Sequence, residues 1–385
     1  KDIVLFLVHK EVITIKKILF GITSLTLGGA ERVLVDISNK LSEKYDITIF
    51  SIYDNGELKN DLNKNVKFKA LYNCRYDELT KLQKMWIPIK ILLFSKIIYN
   101  KKIKQNYDTE IAFLEGPITR LFSTKNKDVH KIAWIHNDIE KVFGNDLKSK
   151  IKKYIDKNIY KKYDDLVFVS QDNMEKFQNI YNDLNTENMH VIYNYIDKDL
   201  VIKKSNYNIK VEFDYNSINF LTVCRLVKQK AIDRFIRVHS KLIKKGLKHR
   251  VYIIGDGPEK ENLQKLIKQE NVEDTFILLG KKENPYPYIK NANYFCLLSE
   301  FEGYGMVLEE AKILNKPIII TNTAARECIE NYPKALILEN SEDEIYDGLY
   351  KLLNDNDDKI FNNTQTNTEY DNTEKLQKII ELVGD

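Results

Sequence analysis

Cysteine is scarce in this sequence. The four present, Cys74, Cys224, Cys296 and Cys328, form no CxxC pair. That scatter excludes a zinc site of the usual spacing and a disulfide framework, and it fits a reducing cytosol. Cys224 and Cys296 fall in apolar, strand-like runs, where core packing is their expected role. An excess of one charge is also lacking: 60 basic residues against 56 acidic ones leave +4, too even a balance for a nucleic-acid binder. No stretch approaches ~20 uninterrupted apolar residues, so a membrane-spanning helix is not expected. The opening segment Lys1–Ile15 is apolar but interrupted by His9, Lys10 and Glu11, and it lacks both the core and the cleavage site of a signal peptide. Nothing repeats at the period of a solenoid.

What is present is alternation. In 385 residues, 43% of them hydrophobic, there is room for two domains with real cores, and three remain within range. Strand-like runs are expected at Ile18–Thr23, Ile47–Ile52, Ile111–Leu114, Ile132–Ile135 and Leu166–Val169, and again at Phe220–Val223, Val251–Ile254, Phe276–Leu279, Tyr294–Leu298 and Pro317–Thr321. Most lack polar alternation, as strands buried on both faces of a parallel sheet do. Helical patterns separate them: Ala30–Lys44 carries Val33, Leu34, Ile37 and Leu41 on one side, and Ile232–Lys245 carries Phe235, Ile236, Val238 and Leu242. Such order predicts an α/β architecture of doubly wound parallel sheets. The alternation breaks between Tyr195 and Ser217, a polar stretch read as the inter-domain connection. The expected organisation is therefore an N-terminal Rossmann-like domain over residues 1–195, a C-terminal one over 196–366, and a tail over 367–385 returning to the N-terminal domain. Asn354–Asn372 reads as a loop and Glu374–Val383 as a last short helix. Ligands of open α/β sheets bind beyond the carboxyl ends of the strands, so a site is expected where two such domains face a central cleft.

The residues that follow strands carry the chemistry. In SEFEGYGMVLEEAKILNKPIIIT, Glu302 stands on a glycine-rich turn and Glu310, eight positions later, inside the helix that the turn opens. A helix N-terminus attracts phosphate, and a carboxylate accepts from the hydroxyls of a sugar or a ribose. Arg225 and Lys230 follow the run FLTV and precede a helix. A guanidinium fork and a compact ammonium at that place suit a diphosphate. Phosphate beside polyhydroxyl describes a sugar nucleotide.

The ordered set Arg225 with Lys230, then Gly255-Asp256-Gly257-Pro258, then Glu302 with Glu310 resembles the family 4 glycosyltransferases of the GT-B fold, with Gly28-Gly29 in TSLTLGGAERVL and His136 in WIHND agreeing from the first half. The resemblance runs from about Lys16 to the C-terminus. It implies that Arg225 and Lys230 hold the donor diphosphate, that the N–H groups of Gly305, Met306 and Val307 add to the phosphate cradle, and that Glu310 accepts from the ribose. It further implies that Glu302 and His136 contact the transferred sugar, and that Gly28 and Gly29 close on the phosphates or the acceptor. Glu115, after the run IAFL, is placed at the acceptor or, more plainly, on an exposed loop. The family implies a hexose or N-acetylhexosamine moved from a nucleotide sugar, a UDP-sugar first, to a hydroxyl acceptor in bacterial surface polysaccharide or glycoconjugate assembly. Retention of configuration and no bound metal are implied with it. Asp197-Lys198-Asp199 spells a DxD triplet, but it falls in the polar connection. The sequence departs from the family at Cys224 and Ala231, where glycine is common, and at Ala324-Ala325, in a loop often rich in glycine.

Plainer readings stand beside these. Glu309 and Glu310 could only favour the helix dipole; Gly28-Gly29, Gly255 and Gly257 could only serve turns; His136 could be a core or surface residue. Two other functions stay open, a GT-B-shaped partner without catalysis and a nucleotide-sugar epimerase. One stretch is left over. Residues 81–104 hold seven lysines and no acid, with Trp86, Phe94 and Tyr99 among them. It reads either as a helix lying on an anionic membrane surface, which suits a lipid-linked acceptor, or as an ordinary helix with a solvated outer face.

Overall fold

The computed structural model describes residues 15–26, 28–54, 56–103, 106–124, 128–136, 147–329, 331–355, 361 and 370–384. Contacts divide the chain into two compact units, one of Lys1–Ile135, Asp146–Val167 and Ile379–Asp385, the other of His136–Asn145 and Phe168–Lys378.

The first seven strands are β1 (Lys17–Ile22), β2 (Asp46–Tyr53), β3 (Lys67–Tyr72), β4 (Thr109–Ala112), β5 (His130–Ile135), β6 (Asp165–Phe168) and β7 (Met189–Val191). They form one sheet in the order β3-β2-β1-β4-β5-β6-β7. β1 pairs in parallel with both β2 and β4, and its last five residues are buried. Even a charged pair is enclosed here. Glu110 on β4 stands opposite Lys131 on β5, their side chains meet at 2.6 Å with almost no exposure, and Tyr99 donates to the same carboxylate at 2.5 Å. A buried pair is tolerated when each partner is satisfied, and this one ties the helix Lys81–Lys102 to the sheet.

The second sheet holds β8 (Ile218–Val223), β9 (His249–Ile254), β10 (Phe276–Gly280), β11 (Tyr294–Leu297), β12 (Ile318–Thr321) and β13 (Ala335–Leu338), in the order β10-β9-β8-β11-β12-β13. All its neighbours run parallel. The helix Ile232–Lys244 buries Phe235, Ile236, Val238 and Leu242 on it, the stripe read from the sequence.

Three strands lie where no run was expected, β3, β7 and β13. Each is a sheet edge, so one flank is solvated and its composition is mixed; β3 reads Lys-Phe-Lys-Ala-Leu-Tyr. The polar connection after Tyr195 contains a helix, Lys198–Ser205, whose N-terminus is capped by the Asp197 carboxylate at 2.9 Å from the N–H of Leu200. That cap accounts for the first Asp of the DxD triplet. The last helix runs Thr373–Gly384. Thr109 Oγ1 donates to the Val383 carbonyl at 3.2 Å and Lys16 Nζ to that of Gly384 at 2.5 Å. Most of the loop expected over 354–372 lies outside the described residues, as do residues 1–14.

Candidate functional site

Parallel sheets that wind outward from the middle have a switch point, where neighbouring strands are followed by helices on opposite faces; the loops leaving such a point form a crevice. In the second sheet the switch lies between β8 and β11. Arg225 and Lys230 follow β8; Glu302, Gly305 and Glu310 follow β11. Hydrogen bonds join the two loops: Glu300 N–H to the Gln229 carbonyl at 3.0 Å, and Gln229 Nε2 to the Phe301 carbonyl at 2.9 Å.

The side chains meet there. Lys230 Nζ donates to Glu302 Oε1 at 2.5 Å, with Glu302 only 7% exposed. Ser299 Oγ donates to the same oxygen at 2.5 Å. Arg225 is exposed, and among the described residues no carboxylate pairs with it. Cys224 adjoins it; burial pushes its thiol up to about 12, against a downward pull from Lys230 and with a further push from Glu302. The thiol is therefore protonated and unreactive at neutral pH.

The second loop turns at Gly305, which has φ 69° and precedes the helix Met306–Ile313; no side chain caps that helix. The left-handed conformation favours glycine, and it leaves the N–H groups of Met306 and Val307 at a helix N-terminus, where anions are favoured. Glu310 is half-buried and accepts from Tyr286 OH at 3.0 Å. Glu309 faces another set of partners. Its carboxylate is 1% exposed, 2.9 Å from Lys375 Nζ, 3.4 Å from Lys312 Nζ, and accepts a short hydrogen bond from the Tyr304 hydroxyl. Burial alone would raise its pKa, but Lys375, Lys312 and the Tyr304 bond outweigh it and hold the group at about 2. Glu309 thus anchors the helix instead of merely serving its dipole. The cavity of about 260 Å³ that it borders, with Tyr193, Tyr332 and Tyr370 in the wall, contains none of the residues expected at the site.

Gly255 and Gly257 have a packing reason. A Cβ on Gly255, at φ 148°, would stand 1.8 Å from the Cys224 carbonyl oxygen, and one on Gly257 2.3 Å from that of Leu226. The loop after β9 presses backbone to backbone on the loop carrying Arg225. Ala231, where glycine is common in the family it resembles, keeps the left-handed conformation at φ 48°.

The first sheet has its own switch, between β1 and β4. Gly28 and Gly29 follow β1, opening the helix Gly29–Leu41, and Glu115 follows β4 in the turn before the helix Pro117–Phe122. Gly28 is extended, at φ −153°; its lack of a side chain leaves room for the Glu31 carboxylate, 2.1 Å from where a Cβ would be. His136 follows β5. Its carbonyl accepts from Asn173 Nδ2 at 3.4 Å and lies 3.8 Å from the Cβ position of Gly303, so its backbone borders the Glu302 loop. Burial of the ring pulls its pKa down to about 3, so the imidazole is neutral at pH 7.

The sequence pattern pointed to Arg225, Lys230, Glu302 and Glu310 but gave no sign of Ser299 or Tyr286, hydroxyl side chains that matter only through what lies across from them.

With this geometry, the chain has clear relatives. Residues 203–369 match the family model described as Glycosyl transferases group 1. The chain is 28% identical over 342 residues to the N-acetylgalactosamine-N,N'-diacetylbacillosaminyl-diphospho-undecaprenol 4-alpha-N-acetylgalactosaminyltransferase of Campylobacter jejuni, covering 87% of this chain and 89% of that one. It is 24% identical over 264 residues to the poly(ribitol-phosphate) alpha-N-acetylglucosaminyltransferase of Staphylococcus aureus, covering 67% of this chain and 51% of that one. Among solved structures, HepE of Anabaena in complex with UDP and glucose is similar with a TM-score of 0.70 at 16% identity, covering 95% of this chain and 98% of that one. TarM is similar with a TM-score of 0.72 at 16% identity, covering 97% and 99%. The fold is GT-B.

Proposed function

We propose that this chain, a glycosyltransferase of the GT-B fold, moves a hexose or N-acetylhexosamine from a UDP-sugar to a hydroxyl of a surface polysaccharide or glycoconjugate acceptor, with retention of configuration. The observation that carries this is the Lys230–Glu302 pair at the β8/β11 switch, beside an exposed guanidinium and an uncapped helix N-terminus. Breaking the bond between sugar and diphosphate develops negative charge on the leaving oxygen. Arg225 and Lys230 are fixed donors for that charge, and the N–H groups of Gly305, Met306 and Val307 extend the cradle; preorganised donors of this kind supply the largest catalytic contribution in many enzymes. No metal is needed for this role. Glu310 reads the ribose. Glu302 and the neutral His136 ring read the sugar, and Gly28, Gly29 and Glu115 serve the phosphates or the acceptor from the first unit.

UDP is the first donor to test because HepE was solved with it. The Campylobacter relative is named for a diphospho-undecaprenol substrate, which supports a lipid-linked acceptor and work at the cytoplasmic face of a membrane. Calorimetric titration of UDP-sugars tests the donor site. Arg225→Ala and Glu310→Ala are each expected to weaken donor binding at least tenfold, the equivalent of about 1.4 kcal/mol; two variants that bind like the parent would overturn the assignment. Incubation of donor without acceptor separates the rival chemistry: slow release of free sugar agrees with transfer, whereas an epimerised nucleotide sugar would show an epimerase. The anomeric configuration of the product, read by NMR, decides retention.

A further inference from the structure

The helix Lys81–Lys102 has two apolar faces. One packs inward, with Ile87, Ile91 and Tyr99 buried. The other carries Leu82, Trp86, Ile89, Leu93 and Ile97 at spacings of four, three, four and four, and all five are exposed, Leu93 by 68% and Trp86 by 56%. As far as Phe94, whose φ of −119° and ψ of 20° break the helix, about 100° of rotation per residue sets Leu82, Trp86, Ile89 and Leu93 opposite Ile87 and Ile91. Lys90, Lys96 and Lys101 are exposed on the same segment. No acid occurs between residues 81 and 102, and among the described residues no carboxylate pairs with these three lysines. Beside the helix, Tyr72, Leu79, Trp86, Leu93 and Phe94 line a cavity of about 470 Å³, which continues the apolar face inward.

A surface helix with only one neighbour to cover normally places its polar residues outward. An apolar stripe beside exposed lysines that have no carboxylate partner among the described residues has a different complement, a hydrocarbon layer under anionic headgroups. No described helix is long and apolar enough to cross a membrane, so the contact would be lateral. A second copy of the chain fits less well, since it would bring the lysines of this face against their own copies. We propose that the outer face of Lys81–Lys102 docks on an anionic phospholipid bilayer, with Leu82, Trp86, Leu93 and Ile97 in the headgroup–acyl boundary. The proposal deepens the reading of a lipid-linked acceptor by naming the surface that brings the enzyme to it.

The two tryptophans of the chain make the test direct, because Trp134 is 1% exposed and Trp86 lies on the stripe. The full chain is mixed with vesicles of equimolar phosphatidylglycerol and phosphatidylcholine at low salt, without nucleotide, so that failure here leaves the donor assignment standing. The expected result is co-sedimentation, a blue shift of the emission, quenching by acyl-brominated lipid, and loss of the blue shift and quenching in Trp86→Phe. Each surface lysine contributes roughly fivefold in affinity for such a membrane. Lys90→Glu, Lys96→Glu and Lys101→Glu together should therefore weaken binding at least 100-fold, and Leu93→Asp at least tenfold, with melting temperatures unchanged. Absence of co-sedimentation, equal binding to pure phosphatidylcholine, or binding that survives the triple substitution would overturn the proposal. So would a dimer by light scattering that Leu93→Asp dissolves, which would assign the face to a second copy.

Discussion

The 2.5 Å bond between Lys230 and Glu302 joins a cation suited to phosphate and a carboxylate suited to hydroxyls. On the proposed function, an entering diphosphate would offer Lys230 a stronger partner and release Glu302 toward the sugar, with Ser299 still holding one oxygen. The two substitutions should therefore differ in kind. Lys230→Ala leaves a nearly enclosed carboxylate without its cation, a change that destabilises by roughly 3–5 kcal/mol when burial is complete, and it removes a donor worth roughly 100- to 1000-fold in rate. Both losses are expected, in melting temperature and in kcat. Glu302→Gln keeps size and removes only the carboxylate charge; it should weaken binding of the UDP-sugar while leaving that of UDP little changed. Equal weakening of both ligands would remove Glu302 from the sugar. These two residues were legible because a charged residue after an apolar run stands out. Tyr286 and Ser299 were not, since a hydroxyl carries no pattern, and Glu309 was misleading: next to Glu310 in sequence, it turns to Lys375 and Lys312.

At the level of elements, the helix Ile232–Lys244 and β9 share a buried histidine pair. His239 Nδ1 lies 2.8 Å from His249 Nε2, His239 Nε2 2.8 Å from Thr275 Oγ1, and His249 Nδ1 2.8 Å from the Leu247 carbonyl. The last contact makes Nδ1 of His249 a donor; with that ring neutral, its Nε2 accepts and His239 donates from Nδ1. Burial holds His249 down at about 4; burial first, then the charge of His249, lowers His239 as well. The unfolded chain takes up these protons near pH 6.5 and the folded one does not. The stability they lend is thus complete above pH 6.5 and falls as pH drops from 6.5 toward 4. With a limiting slope of ~1.4 kcal/mol per pH unit and group, reached only below the unfolded pKa, going from pH 6.5 to 5 should cost about 3 kcal/mol for the pair. Urea unfolding followed by circular dichroism across that interval measures it; a flat stability would show that the rings protonate in place. Neither histidine was legible as a pair, because ten positions of sequence separate a helix from the strand after it. The edge strands β3, β7 and β13 escaped for a related reason, as pairing on one side demands only half the apolar pattern.

For the whole molecule, alternation of apolar runs and amphipathic stretches was enough to give two parallel α/β sheets, whereas strand order was not readable: nothing in the sequence places β1 beside β4 or β8 beside β11. Yet those neighbours decide which loops meet. Their outcome assigns Arg225, Lys230, Glu302, Gly305 and Glu310 to one compact unit, while both tryptophans, Trp86 and Trp134, belong to the other. The second sheet lies wholly in the second unit, and large chains of this kind commonly unfold by domains. A nucleotide held by the second unit stabilises that unit alone, by about 2.7 kcal/mol at a hundred times its dissociation constant, a rise of roughly 5–10 °C for a body of this size. Calorimetry with UDP should then show one transition moving up, while the tryptophan-fluorescence transition stays where it was. Gly255→Ala gives the complementary mark. Its new Cβ would press on the Cys224 carbonyl from 1.8 Å at a φ of 148°, so it should lower the same calorimetric transition and spare the fluorescent one. If UDP raises the tryptophan transition by the same amount, the nucleotide is gripped by residues of the first unit too, and Gly28 and Gly29 become the groups to substitute next.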